Sequence, residues 1–203
     1  MTTQPAVREW TYAEFARLPD DGNRYEVIAG ELYVTPAPGR IHQKVSARLV
    51  SLFERFSEEQ GAGTAYHAPF DVIFGEGDYM EPDLIFVRRD REDEVIKEHA
   101  AVAAPDLVVE ILSGSTARRD RGIKRERYAA YGVSAYWIVD TDAKQVEVYR
   151  LTGGELRWVR TETDWLRYRP KPRGPELVID VPHLLRPAND HSPGRIEPDD
   201  TPG

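Results

Sequence analysis

No cysteine occurs among the 203 residues, which excludes disulfides, thiolate zinc sites and thiol nucleophiles. Any metal must be held by oxygen ligands or histidine, so hard divalent cations lead. Long apolar runs are missing as well. None approaches the roughly 20 residues that span a bilayer, which argues against a membrane role. The opening Met1-Thr2-Thr3-Gln4-Pro5 lacks the basic and apolar segments of a signal peptide, and the expected location is the cytoplasm. An excess of basic charge is also absent. The net charge of −8 argues against indiscriminate coating of nucleic acid, while leaving room for a local basic groove.

What the chain does contain fits one globular domain, with 40% hydrophobic and 31% charged residues, both ordinary values for a soluble fold. The expected organisation is a single domain over residues 1–186 and a disordered tail over 187–203. That tail is rich in Pro, Asp and Gly and nearly devoid of apolar side chains.

Local patterns supply the elements. Thr11 and Glu14 form a capping-box pattern ahead of a short helix that ends before Pro19. The runs 24–28 and 31–34, joined through Ala29-Gly30, read as a hairpin. From Ile41 to Gln60 the apolar residues Ile41, Val45, Leu49, Leu52, Phe53 and Phe56 predict a long amphipathic helix stopped at Gly61. Strands are predicted over 64–74, 81–87 and 107–112, with an exposed, partly helical excursion over 88–99. A second long helix is predicted from Thr116 to Tyr131, ended by Gly132, with strands following at 135–140, 145–150, 156–159 and 177–179. This order predicts an α/β (α+β) fold with a mixed central β-sheet flanked by helices.

Two strand-end acids stand out. Asp83 lies in Glu81-Pro82-Asp83-Leu84 and Glu110 in Val108-Val109-Glu110-Ile111, both within otherwise apolar strands. A carboxylate in such a place must be neutralised by a cation, a base or a proton, and two of them suggest one shared cation. Asp106 repeats the Pro-Asp pattern. It lies four residues from Glu110, about 13 Å along a strand, so Asp83 is the better partner. On the helix after Thr116, the spacing puts Asp120, Lys124, Tyr128 and Tyr131 on one face. Lys124 then either meets the two carboxylates or pairs locally with Asp120 and reaches water. Glu26 and Glu31 are further acids on the hairpin, and His42 shares a helix face with Val45 and Leu49. Arg118, Arg119, Arg121 and Arg125 form either a phosphate-contacting surface or a solvated helix face.

These segments, together with Tyr25-Glu26-Val27-Ile28-Ala29-Gly30-Glu31-Leu32, His42, Asp120 to Lys124, and Tyr128-Ala129-Ala130-Tyr131-Gly132-Val133 with Tyr136-Trp137, resemble the bacterial Uma-two family of restriction-type endonucleases. That family sits in the PD-(D/E)XK nuclease-like superfamily, and the resemblance spans roughly residues 12 to 150. It implies a restriction-endonuclease-like fold and a metal-dependent endonuclease acting on DNA. Asp83, Glu110 and the backbone carbonyl of Ile111 would hold Mg2+, or Mn2+. Lys124 would orient or activate the attacking water, and Glu26 would complete the shell or bond Lys124. His42, Arg118, Arg119, Arg121 and Arg125 would contact DNA. The superfamily's usual lysine position, two residues after the second acid, holds Leu112, a departure for which Lys124 on the next helix compensates. A homodimer is expected, because double-strand cleavage favours two sites. Two alternatives stay open: a nuclease-fold binding or structural protein without catalysis, and hydrolysis of a small phosphoester by the same ligands.

Overall fold

The computed structural model describes residues 10–195. Chain-start residues 1–5 and tail residues 196–203, on which the leader and part of the tail expectation rest, lie outside the described residues.

Helix α1 (Tyr12–Phe15) starts as the capping box predicts: Thr11 Oγ1 accepts the Glu14 N–H, and the Glu14 carboxylate accepts the Thr11 N–H. Strands β1 (Arg24–Ile28) and β2 (Glu31–Thr35) form the antiparallel hairpin. Its two turn residues, Ala29 and Gly30, both have positive φ (51° and 83°), which matches the twist of a two-residue hairpin turn. Helix α2 (Arg40–Gln60) buries Val45, Leu49, Phe53 and Phe56 and ends in a left-handed Gly61.

The strand expected over 64–74 is two strands. β3 (Gly63–His67) and β4 (Asp71–Gly75) enter different sheets, and Pro69 lies between them. Proline has no N–H to give a ladder, so a run that reads as continuous by β-propensity breaks there. β5 (Asp78–Met80), β6 (Leu84–Arg88), α3 (Glu92–Val95), β7 (Ala100–Ala101) and β8 (Leu107–Ile111) follow. The segment before β7 is not wholly exposed, because Val95 is fully buried.

The long helix expected over 116–131 is interrupted. α4 (Ala117–Arg119) runs into a wide π-type turn over Asp120–Lys124, then α5 (Arg125–Ala130). Gly122 leaves helical geometry at φ −106°, ψ −107°. The chain continues through β9 (Ala135–Asp140), β10 (Gln145–Thr152), β11 (Glu155–Glu162), β12 (Trp165–Tyr168), β13 (Leu177–Asp180) and α6 (Val181–Leu184). β12 is an element the sequence reading lacks. Residues 187–195 form no helix or strand, though Arg195 pairs with Asp180 at 2.8 Å.

The sheet component is divided into two mixed sheets and one strand pair. One sheet has the order β11-β10-β9-β8-β6-β3, the other β2-β1-β5-β4-β7, and β12 pairs with β13. Strand alternation sends Phe86, Val109 and Trp137 to the α2 side of the six-stranded sheet, while Ile85, Val108 and Tyr136 face Tyr128 and Ala129 on the other. β8 is buried along its whole length, with Glu110 its one ionisable residue. Among the described residues no helix is long and apolar enough to cross a membrane.

Phe53 packs its ring against Phe86, Trp137 and Tyr168, at centroid distances of 5.5, 6.0 and 6.3 Å. Phe53→Ala is expected to destabilise the fold by about 3–5 kcal/mol, the range for deleting a buried aromatic ring. Urea unfolding measures it, and a loss below about 1 kcal/mol would contradict this account of the core.

Candidate active site

The register of β6 on β8 pairs Leu84 with Val109. Carried one residue further, it sets Asp83 across from Glu110. Asp83 is 3% exposed, and each of its oxygens is engaged. Oδ1 accepts from Arg24 Nη1 at 2.8 Å, while Oδ2 accepts the Ile111 N–H at 2.6 Å and lies 3.1 Å from His42 Nε2. Burial raises the Asp83 carboxyl, but the contacts with His42, Arg24 and Ile111 outweigh it and bring it down to about 2.

Behind Asp83 sits a second buried group. Lys124 Nζ is 2.5 Å from Glu110 Oε1 and donates to Glu26 Oε1 at 2.8 Å, and all three side chains are nearly inaccessible. Tyr128 Oη donates to Glu110 at 2.8 Å, and the Glu81 N–H donates to Glu26 at 3.1 Å. Arg119 Nη2 lies 3.3 Å from Glu26 Oε2. Burial lowers Lys124, but Glu110, Glu26 and Asp120 together raise it well above the ordinary lysine range. Burial pushes Glu110 up to about 8, against Lys124 and with the repulsion of Asp120, Asp83 and Glu26. One ammonium cannot neutralise three carboxylates. Lys124 therefore keeps its proton, and Glu110 retains affinity for one.

The kink at Gly122 makes this arrangement possible. Asp120, Lys124 and Tyr128 are all buried, at 2%, 1% and 0% exposed, on a segment where charged residues would otherwise face water. Asp120 also shows burial raising its carboxyl, and its Oδ1 is buried without a hydrogen-bond partner. Nearby, burial lifts Glu81 to about 7 even though Arg24 contacts it at 2.8 Å, since that guanidinium is shared with Asp83. Asp71 is lifted to about 6 by burial and by Glu26. A cavity of about 130 Å³ is lined by Arg24, Glu26, His42, Asp83, Arg119, Asp120 and Lys124, three acids against three permanent cations, and Glu81, Asp71 and Glu110 next to that lining bring the acids into excess. Glu110 lies beneath this lining, reached through Lys124.

The donor chemistry suits a hard divalent cation: clustered carboxylate oxygens, two of which, Asp120 Oδ1 and Glu26 Oε2, are buried without a hydrogen-bond partner. Among the described residues no three His, Asp or Glu side chains already stand together at coordinating distances.

Of the residues singled out in the sequence, Asp83, Glu110, Lys124, Glu26, Ile111 and His42 are brought together. Glu31 is not; it is exposed and accepts from Tyr33 Oη. Asp106 sits at the other end of β8, held by Arg88 and Arg91 at 3.2 and 3.1 Å. The arginine run does not form one surface. Arg119 turns inward to Thr35 and Glu26, Arg121 is taken up by Asp140 and Glu147, Arg125 stacks over Tyr149, and Arg118 is exposed. Arg24 and Glu81 were missed. Arg24 alternates with Glu26 along β1, so the period of two that faces Glu26 inward carried the signal for Arg24, whereas Glu81 lies in the loop before β6 and had none.

Lys124→Met leaves Glu110 and Glu26 without their ammonium. A carboxyl whose folded value is raised contributes stability that is present below its unfolded value and lost as pH rises through the folded one. The variant is therefore expected to lose about 3–5 kcal/mol at alkaline pH and clearly less near pH 5, where Glu110 is buried neutral. Urea unfolding at both pH values measures this, and an equal loss at the two would contradict it.

A family model described as Uma2, putative restriction endonuclease, matches residues 12–181. The crystal structure of a putative nuclease belonging to DUF820 from Anabaena variabilis ATCC 29413 is similar in fold, with a TM-score of 0.61. The two are 24% identical over 75% of this chain and 83% of that one. No curated protein matches the chain. The matched span begins at the first helix and ends at the start of α6, so it contains both sheets, the kinked helix and every residue of the cavity, and the chain belongs to the Uma2 putative restriction endonuclease family.

Proposed function

We propose that the chain is a metal-dependent endonuclease that hydrolyses DNA phosphodiester bonds at the cavity beside Asp83. The observation that carries this reading is the buried contact of Lys124 with Glu110 and Glu26, next to an Asp83 kept ionised by Arg24 and His42. Asp83, Glu110 and the Ile111 carbonyl would hold the cation, with magnesium the leading choice and manganese an alternative. When bound, such a cation lowers the pKa of water and offsets charge developing on phosphate oxygens.

The chain's own groups divide the remaining work. Lys124, protonated at neutral pH, is no general base; its role is to orient a water by donation and to place fixed positive charge beside the reacting phosphate. Arg24 and Arg119 stand at the cavity with guanidinium donors suited to phosphate oxygens. His42 fixes Asp83 through Nε2 and so holds its carboxylate in one orientation. Glu26 holds Lys124 as a second carboxylate beside Glu110.

A second reading, a DNA-binding protein without hydrolysis, is favoured by one observation: both Asp83 oxygens already have protein partners. A plasmid assay separates the two. With magnesium, the wild-type chain is expected to nick supercoiled DNA, and Asp83→Ala and Glu110→Ala to reduce the rate by at least about a hundredfold, the usual scale for removing a transition-state electrostatic contact. Cleavage at an equal rate by the variants would sink the assignment, and no cleavage by any of them would favour the second reading.

A further inference from the structure

Basic residues far apart in the sequence meet on a surface outside the cavity. On α2, Lys44, Arg48, Ser51 and Arg55 recur at intervals of four, three and four residues, a single stripe down one flank of the helix. The segment after α6 lies alongside. Arg48 donates to the carbonyl oxygens of Leu184, Arg186 and Pro187 at 2.9, 2.8 and 3.2 Å, which fastens that segment to the helix. Between them runs a groove of about 400 Å³ whose lining includes Lys44, Arg48, Arg55 and Arg186, with Asp190 as its one carboxylate.

The charges in this groove are poorly neutralised. Lys44 and Arg55 are exposed, and no ion pair to either occurs among the described residues. Arg186 donates to His183 Nδ1 and the Ser192 carbonyl, while its Nε is buried without a partner. Asp190 accepts the Ser192 N–H at 2.8 Å, and its charge acts on Arg186 and Arg48, not on Lys44 or Arg55. Such a concentration of cations runs against a net charge of −8 and calls for an anion.

We propose that this groove binds the phosphodiester backbone of a DNA duplex, with Lys44 and Arg55 as its phosphate-contacting cations. The proposal rests on the nuclease reading for its choice of polymer. The two residues are 11 apart on α2, about 16 Å of helix rise, and a DNA strand carries a phosphate every ~3.4 Å of duplex axis, so the stripe spans several phosphates. Among the described residues the lining holds no Phe, Tyr or Trp. The groove thus lacks the large aromatic anchors typical of a protein interface. Position along the chain links the groove to the cavity, because Lys44 is two residues beyond His42, which contacts Asp83. It also places the phosphate-binding surface away from Arg121 and Arg125, whose charges are already engaged.

The test is a fluorescence-anisotropy titration of the full chain against a labelled DNA duplex over a range of KCl concentrations, with divalent cations chelated. Lys44→Ala combined with Arg55→Ala is expected to bind roughly tenfold more weakly and to lower the slope of log affinity on log salt by about two, one for each lost phosphate contact. Both residues are exposed, so the thermal melt should not move. An unchanged affinity and slope, failure of the wild-type chain to bind duplex, or a slope lost instead in an Arg118→Ala, Arg125→Ala variant overturns the proposal. The two readings fail separately. Binding through the groove by a chain that never cuts with magnesium removes the nuclease reading and supports the groove. Cutting by a chain whose binding ignores Lys44 and Arg55 removes the groove alone.

Discussion

The ammonium of Lys124 is the charge on which the rest of the structure turns. Glu26 belongs to β1 of the five-stranded sheet and Glu110 to β8 of the six-stranded sheet, so a single lysine joins the two sheets across their seam. Arg24 repeats the connection from β1 to Asp83. A seam of this kind needs no charge for stability. Apolar side chains of similar volume are often as stable as a buried ion pair or more so, because desolvating the ions costs several kcal/mol each. Keeping two carboxylates on one lysine, with Asp83 and Asp120 beside them, is a cost that chemistry explains and packing does not.

Elsewhere the same balance is struck with full pairing. Asp78, 1% exposed, is met by Arg127, Tyr131 and the Ala29 N–H, which ties the hairpin turn to α5. Asp140 and Glu147 share Arg121, and Glu147 also accepts from Tyr149. These clusters take up Arg121 and Arg127 from the arginine run, while Arg118 stays exposed and Arg125 lies over Tyr149. Local composition around Arg118 to Arg127 therefore says little about where an anion would bind. The distribution of partners bears on it more directly, and Lys44 and Arg55 on α2 have no ion pair among the described residues.

Much of this was legible from the chain alone. The hairpin, α2 with its inward residues, and Asp83 with Glu110 follow from periodicity and from acids placed in apolar strands, signals that local sequence carries. Lys124 was legible because its spacing to Tyr128 survives the kink. The kink itself was not, since a glycine within a helical pattern marks a break only when the tertiary structure uses it. The division of 64–74 between two sheets depends on strand partners distant in sequence, which local pattern does not carry. Glu81 entered the site through the loop before β6, and only its contact with Arg24, which also holds Asp83, defines its place.

The charge of Lys124 is open to direct observation. With lysine side chains isotopically labelled, the resonance of the carbon next to Nζ reports protonation as pH is raised. Three carboxylates around one buried amine predict that Lys124 stays protonated through the ordinary lysine value of 10.5 while the surface lysines titrate. A midpoint for Lys124 below that value would contradict the account, because it would mean that burial and not the carboxylates governs the group at the centre of the site.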